Sequence, residues 1–372
     1  MTLRALFLGV VAMLILMSYA RAQALPESPV PPDSEIRKIL SDRIDVARQG
    51  VGIVVGVIEP KGQRVVAYGS LDKGDNRPLD GHTIFEIGSV TKVFTSLLLA
   101  DMVERHEAAL ADPVAKYLPE GVKVPERGGR RITLEDLSTH TSGLPRIPGN
   151  LKPADAANPY ADYSAERLYE FLSTYSLPRD IGSQFEYSNL GGGLLGHALA
   201  RRAGMDYEAL VRSRIAHPLA MSSTGITLTP DMRTRFAVGH KANLAPAANW
   251  DFQALAGCGA LRSSAHDLLR FLSAALGYSP SPLAPAMAAM LQVRRPTTIP
   301  GMEIALGWLV ARNGIVWHNG GTYGFRSFVG FLPKSRVGVV VLANTFTIAG
   351  VDDIGMHLLD GSIPLSGPPK GQ

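Results

Sequence analysis

The hydrophobic pattern changes character along the chain. It opens with Arg4, an apolar run over residues 5–17, and small residues at Ala20, Ala22 and Ala24. That layout predicts a cleavable secretory signal over residues 1–24. A membrane anchor is the weaker reading, because the apolar run is shorter than the roughly 20 residues that span a bilayer. Ile36, Leu40 and Ile44 then recur at helical spacing, which predicts an amphipathic helix over residues 34–49. Residues 51–58 and 64–68 are β-branched runs parted by Pro60-Lys61-Gly62, the pattern of an antiparallel hairpin. After turn-rich residues 73–81, the segment Phe85-Glu86-Ile87-Gly88-Ser89-Val90-Thr91-Lys92 leads into Phe94, Leu97, Leu98 and Met102, so a helix begins near Ser89.

The middle of the chain reads as helices. Thr133 and Ser164 stand where N-caps belong, a helix over 189–203 stops at Gly204, and another covers 264–276. From residue 305 the pattern returns to strands, at 307–311, 314–317, 325–332 and 338–343, before a last helix at 352–359. Strands at both ends with helices between predict a discontinuous α/β domain, residues 25–105 with 205–364, enclosing a mostly helical domain over 106–204. The cleft between them is the natural place for a site.

Composition narrows the function classes. Hydrophobic residues make up 46% of the chain and charged residues 19%, the balance of a globular protein. The formal net charge of +4 falls by two once Arg4 and Arg21 leave with the signal. The densest basic run, Arg127 to Arg131, is interrupted by glycines and carries no aromatic residues, so it reads as a solvated turn and no nucleic-acid partner is expected. His106-Glu107 begins like a zinc-protease motif, but position 110 is Leu; neither a metal nor a cofactor is expected. The single cysteine, Cys258, lies among glycines and alanines, which suits a small buried side chain better than a catalytic thiol.

The candidate chemistry is nucleophilic. A serine hydroxyl needs a base within hydrogen-bond reach, and residues three apart on a helix share a face, so Lys92 stands beside Ser89. Burial of that ammonium, or neighbouring cations, would let it act as a base near neutral pH. The S-x-x-K spacing is weak by itself: Ser70-Leu71-Asp72-Lys73 repeats it in a connection with no helix to align the pair. Two further segments add specificity. Tyr187-Ser188-Asn189 sits at a loop-to-helix boundary, where a tyrosine beside cations can relay protons and an asparagine can hold a substrate amide; a buried tyrosine with a capping asparagine is the ordinary alternative. Trp317-His318-Asn319-Gly320-Gly321-Thr322 follows an apolar strand, where glycines admit a substrate backbone and His318 can exchange protons; a plain hairpin turn is the alternative.

Ser89 to Lys92, Tyr187 to Asn189 and His318 to Gly320 occur in the order and approximate spacing of the class C β-lactamase family, which includes low-molecular-weight penicillin-binding DD-peptidases and related esterases. Residues 137–145 and 257–267 extend the resemblance over nearly all of the chain beyond the signal. It implies a serine β-lactamase-like fold, an antiparallel sheet flanked by helices with a mostly helical second domain. It also implies that Ser89 is acylated, that Lys92 and Tyr187 share the proton transfers, that Asn189, Asn319, Gly320 and Gly321 meet the substrate, and that the Ser89 and Gly321 N–H groups form an oxyanion hole. The third motif departs from the β-lactamase pattern, which usually begins with Lys where this chain has His318. A permanent cation is replaced by a titratable one, with an expected inflection near neutrality in kcat/KM. Histidine there is closer to the DD-peptidases and esterases of the family. Arg326 is a candidate for the lost carboxylate contact, although a solvated strand residue is its ordinary reading. The expected activity is therefore hydrolysis of β-lactam or D-Ala-D-Ala-type amides by an exported enzyme, with a carboxylesterase or an acylated sensor as alternatives.

Overall fold

The computed structural model describes residues 30–347 and 350–366, so the signal-like segment 1–24 lies outside the described residues. Among these, no helix is long and apolar enough to cross a membrane.

In chain order, β1 (Gly52–Glu59) and β2 (Gly62–Gly69) form the expected hairpin, with Glu59 facing Gly62 across the turn. β3 (Ile84–Glu86) precedes a small exposed hairpin of β4 (Glu126–Arg127) and β5 (Arg130–Arg131). β6 (Arg262–Ser264) returns to pair with β3 just ahead of Ser89. The remaining strands are β7 (Arg295–Pro296), β8 (Met302–Ile304), β9 (Leu309–Ala311), β10 (Val316–Gly321), β11 (Arg326–Leu332) and β12 (Val337–Ala343). They join the first hairpin in one eight-stranded antiparallel sheet, ordered β2-β1-β12-β11-β10-β9-β8-β7. The two ends of the sequence thus meet at the centre of the sheet, where β1 pairs with β12.

Central strands carry apolar side chains toward both faces, which is why 52–58 and 337–343 read as unbroken apolar runs. On one face Ile53, Val55, Val57, Val339 and Val341 pack against Ile36 and Leu40 of the opening helix Asp33–Ser41 and Ile354 and Leu358 of the last helix Asp352–Leu359. The opening helix stops short of residue 49, passing into a wider π-type turn over Asp42–Val46. On the other face Val54, Val340 and Leu342 belong to a core shared with Leu268, Leu269 and Leu272 of the helix Ala265–Ala275. Gly56 admits that helix: a methyl group there would lie 3.0 Å from a Leu269 methyl carbon.

The same core continues through the helix Thr91–Glu104 into the helical part, taking in Val114, Leu134, Leu168 and Leu194. Every residue of Thr91–Glu104 from Thr91 to Met102 is buried, so this helix is apolar all round rather than amphipathic. The caps of three other helices are as the sequence predicts. Thr133 caps Leu134–Ser138 in a reciprocal box with Asp136, Ser164 caps Ala165–Thr174, and Gly204 ends Asn189–Ala203 at φ 65°.

Phe328 anchors the outer layer: it is fully buried, stacks on Trp317 at 5.9 Å, and sits against Gly355, where a methyl group would lie 2.1 Å from its ring. Phe328→Ala is expected to cost about 3–5 kcal/mol in a urea unfolding titration. A loss under about 1 kcal/mol would show that the helix–sheet contact does not depend on this ring.

Candidate active site

Ser89 lies in a 3-10 turn, Gly88–Val90, that winds into the helix Thr91–Glu104. Its side chain is half-buried and faces a cleft of about 590 Å³. One turn on, Lys92 is buried at 2% exposure, and its Nζ donates to Ser89 Oγ at 3.0 Å, Asn189 Oδ1 at 2.8 Å and the Cys258 carbonyl at 2.7 Å. The three acceptors come from three separate segments. A buried ammonium deprived of one of them costs about 1–3 kcal/mol or more, so the arrangement fixes the lysine in place. By contrast, Ser70 and Lys73 lie in an irregular connection after β2, and no hydrogen bond joins them among the described residues.

Glycines make the approach possible. Gly192 lies over the lysine stem, where a methyl group would sit 3.1 Å from Lys92 Cε. Methyl groups on Gly193 and Gly196 would fall 2.6 Å from Leu255 and 2.7 Å from the Gly257 Cα. Each interior glycine costs a helix roughly 1 kcal/mol relative to alanine. The cost is offset by bringing the turn Ala256–Cys258, and with it the Cys258 carbonyl, onto the lysine. The Cys258 thiol is buried and its pKa is pushed up to about 11, chiefly by burial, so the residue contributes its backbone and not a nucleophile.

Asn189 opens the helix Asn189–Ala203, and its amide is oriented at both ends: Oδ1 accepts from Lys92 and Nδ2 donates to Tyr160 Oη at 3.0 Å. Burial raises the Tyr160 pKa, so this partner stays a neutral phenol. Tyr187 presents its ring to two cations, Lys92 Nζ at 4.8 Å and the Arg146 guanidinium at 5.1 Å from the centroid. His140 holds the segment. Its ring lies 4.6 Å from that of Tyr187, its Nδ1 accepts from the Ser188 N–H at 3.2 Å, and its carbonyl accepts from the Glu186 N–H at 2.8 Å. His140 sits at φ 58°, a left-handed conformation that a non-glycine residue keeps only where surrounding contacts hold it.

The third motif differs from its expected form. The strand over 314–317 begins later and ends later, as β10, so His318, Asn319, Gly320 and Gly321 are strand residues and not the turn after a strand. Their side chains alternate, which separates their roles. Gly320 faces the serine turn, where a methyl group would meet the Ile87 carbonyl at 2.0 Å and the Ser89 nitrogen at 2.9 Å. Gly88, at φ 49°, is pressed against Gly321, and Ser327 Oγ donates to the Ile87 carbonyl at 2.7 Å. Asn319 is turned to the opposite face, where its Nδ2 donates to Asp352. The Asp352 carboxyl is raised to about 6, mainly by burial and against the pull of Asn319 and Arg326. Arg326 is also not the solvated residue its position suggests: half-buried, it stacks on Phe346 at 4.1 Å and its Nε donates to the Thr347 carbonyl at 3.0 Å.

Burial runs against the expectation that His318 titrates near neutrality. Its ring is 1% exposed, and its Nδ1–H donates to the Asn319 carbonyl at 2.6 Å. Burial first, and then the Lys92 charge, push its pKa down to about 3. It is a neutral imidazole, 6.2 Å from the Tyr187 ring between centroids. Cys258 is the small buried side chain the sequence predicts, but its carbonyl contact with Lys92 and the positions of Tyr160, Gly192 and His140 at the site carry no assignment there. The glycine triplet 191–193, costly inside a helix, was the signal available for one of them.

Geometry and sequence agree with known proteins. The Beta-lactamase family model matches residues 36–358. The chain belongs to the Beta-lactamase family. Within it, the chain is 30% identical to the D-alanyl-D-alanine-carboxypeptidase/endopeptidase AmpH of Escherichia coli (strain K12), over 97% of this chain and 96% of that one. It is 26% identical to a Beta-lactamase of the same strain, covering 79% and 84%. The solved class C beta lactamase from Rhodobacter sphaeroides superposes with a TM-score of 0.76 at 26% identity, covering 88% of this chain and 99% of that one. This member of the Beta-lactamase family is a serine hydrolase of antiparallel-sheet and helix architecture.

A folded-state histidine pKa near 3 against an ordinary value of 6.5 means that the unfolded chain binds the extra proton between those limits. Stability is therefore full above about pH 6.5 and declines as pH falls toward 3. The slope of unfolding free energy with pH should lessen in His318→Asn, and kcat/KM between about pH 6 and 8 should carry no His318 inflection. A neutral-range inflection present in wild type and absent in His318→Asn would restore the acid/base role.

Proposed function

We propose that this protein is an exported serine hydrolase that forms an acyl-enzyme on Ser89 and hydrolyses β-lactam or D-Ala-D-Ala-type amide bonds. The observation that carries the reading is the hydrogen bond between Ser89 Oγ and the buried Lys92 Nζ, with Asn189 and Cys258 holding the other two lysine positions. As Ser89 Oγ attacks the carbonyl carbon, its proton passes to Lys92 in the amine form, which keeps its two N–H groups for Asn189 and Cys258 and turns its lone pair to Ser89 Oγ. The proton then reaches the departing amine through Tyr187, whose ring lies over that ammonium. Water reverses the sequence to release the acyl group. The Ser89 and Gly321 N–H groups take the developing oxyanion, a role supported by the glycine contact that brings β10 against the serine turn.

His318 acts as a fixed neutral acceptor beside Tyr187. Asn189, Gly320 and Gly321 line the substrate path; the Asn319 side chain, bonded to Asp352, shapes the wall from behind. Export rests on the layout of residues 1–24. The amide substrate class is supported by the relatives, one named a D-alanyl-D-alanine-carboxypeptidase/endopeptidase and another a Beta-lactamase.

The test is turnover and intact mass with a chromogenic cephalosporin, a D-Ala-D-Ala peptide and a p-nitrophenyl ester. The expected result is an acyl adduct on wild type at Ser89, hydrolysis of at least one amide, and a loss of at least about 10³-fold in kcat for Ser89→Ala. Turnover of the ester alone would make the protein a carboxylesterase, and a persistent adduct without turnover would make it a sensor. Undiminished activity of Ser89→Ala would overturn the mechanism.

A further inference from the structure

Asn319 and Phe328 stand directly opposite each other on β10 and β11, so their side chains leave the sheet on one face. The last helix meets that pair with two residues three positions apart, which share one side of a helix. Gly355 receives the Phe328 ring, and Asp352 accepts a hydrogen bond from Asn319 Nδ2. The contact between helix and sheet is apolar at one point and polar at the other, and the polar point lies directly behind the site.

The connection continues forward through the same residue. The Asn319 carbonyl accepts the Nδ1–H of His318 at 2.6 Å; a carbonyl can only accept, so the proton is on Nδ1 and Nε2 carries the lone pair. Side chains alternate along a strand, so His318 leaves β10 on the other face, where it lines the cleft with its ring 6.2 Å from that of Tyr187. From the helix to the cleft the order is Asp352, Asn319, His318 and Tyr187.

Within this series Asp352 is the residue able to change charge close to neutral pH. Burial raises its carboxyl to about 6, against the pull of Asn319 and Arg326, whereas His318 is held neutral down to about 3. The charged groups that face Asp352 among the described residues are Arg326 from β11 and Asp353 from its own helix, and the Asp353 carboxylate is engaged by Arg43 of the turn Asp42–Val46. Protonation of Asp352 replaces a charge-assisted hydrogen bond to Asn319 by a neutral one of roughly half the strength. It also removes the negative charge that acts on Arg326.

We propose that Asp352 is a positioning residue for catalysis: its carboxylate holds Asn319 and, through the Asn319 carbonyl, the acceptor face of His318 beside Tyr187, and its protonation loosens that hold and slows acylation. The proposal rests on Ser89 acylation as the chemistry of the site. It goes further by placing an acid-side control of the reaction on a residue that does not line the cleft.

The test is the profile of kcat/KM for a p-nitrophenyl ester between about pH 5 and about pH 8. Wild type should fall on the acid side with a midpoint of about 6. Asp352→Asn keeps the size and an acceptor oxygen but cannot ionise, so that step should vanish and the rate at the alkaline end should drop about tenfold, in kcat more than in KM. Asn319→Ala should remove the same step, and the double variant should be no slower than the slower single one. Each step is read within one variant, so any loss of folded protein cancels. A midpoint that survives in Asp352→Asn or in Asn319→Ala would overturn the proposal. A second readout does not depend on catalysis: the Asn319 side-chain amide signal in heteronuclear NMR spectra, identified by its loss in Asn319→Ala, should shift with the same midpoint, and a constant signal would also overturn it. Intact mass after incubation with the ester and a cephalosporin keeps the two questions apart. An adduct on Ser89 with no step near pH 6 refutes the role of Asp352 alone, whereas a titrating amide with no adduct from any compound refutes the acylation beneath it.

Discussion

A primary ammonium has no low-energy place inside a protein unless each of its protons meets an acceptor. In this structure Lys92 meets that demand with the Ser89 hydroxyl, the Asn189 amide and the Cys258 carbonyl, drawn from residues 89, 189 and 258 of the chain. The helix Thr91–Glu104 must then be the buried axis of the molecule, the helix Asn189–Ala203 must lie against it, and the turn Ala256–Cys258 must close over both. Much of the helical part is arranged around one lysine nitrogen, and the same nitrogen lies within hydrogen-bond reach of the serine.

Close packing of backbone does for the contact between β10 and the serine turn what hydrogen bonds do for the lysine. Gly88, Gly320 and Gly321 let β10 lie directly on the turn that carries Ser89, at distances no side chain could tolerate. The eight-stranded sheet holds β10 in register through β11, with Gly320 opposite Ser327 and Gly321 opposite Arg326. Ser327 reaches across to the Ile87 carbonyl, and Arg326 is delivered to the edge of the cleft by the same pairing. Sheet register thus sets both how closely β10 lies on the serine turn and where Arg326 meets the cleft.

Electrostatics in the site follow burial more than residue type. A histidine, a group that ordinarily titrates near neutrality, is held neutral when 1% exposed beside a lysine, and Asp352 is raised to about 6 behind the same strand. Replacing the usual lysine of the motif by His318 therefore does not supply a titratable cation. The cations lining the cleft are Arg146 and Arg326.

Local signals were legible without coordinates. The caps at Thr133, Ser164 and Gly204, the β1–β2 hairpin, the helix start beside Ser89 and the pairing of Ser89 with Lys92 all depend on residues a few positions apart, where periodicity and cap chemistry act. The order of the three motifs was enough to place the chain among serine hydrolases of one family. What the sequence could not express was anything set by long-range contact: that residues 314–321 form a strand running through the glycines and not a turn, that Arg326 is stacked and Asn319 faces away, that Cys258 matters through its carbonyl, and that His318 is too buried to titrate. The physical reason is that burial and register arise from segments far apart in the chain. Propensity dictates which residues start a helix, but only the packed sheet decides which side chains reach the cleft and what charge they hold there.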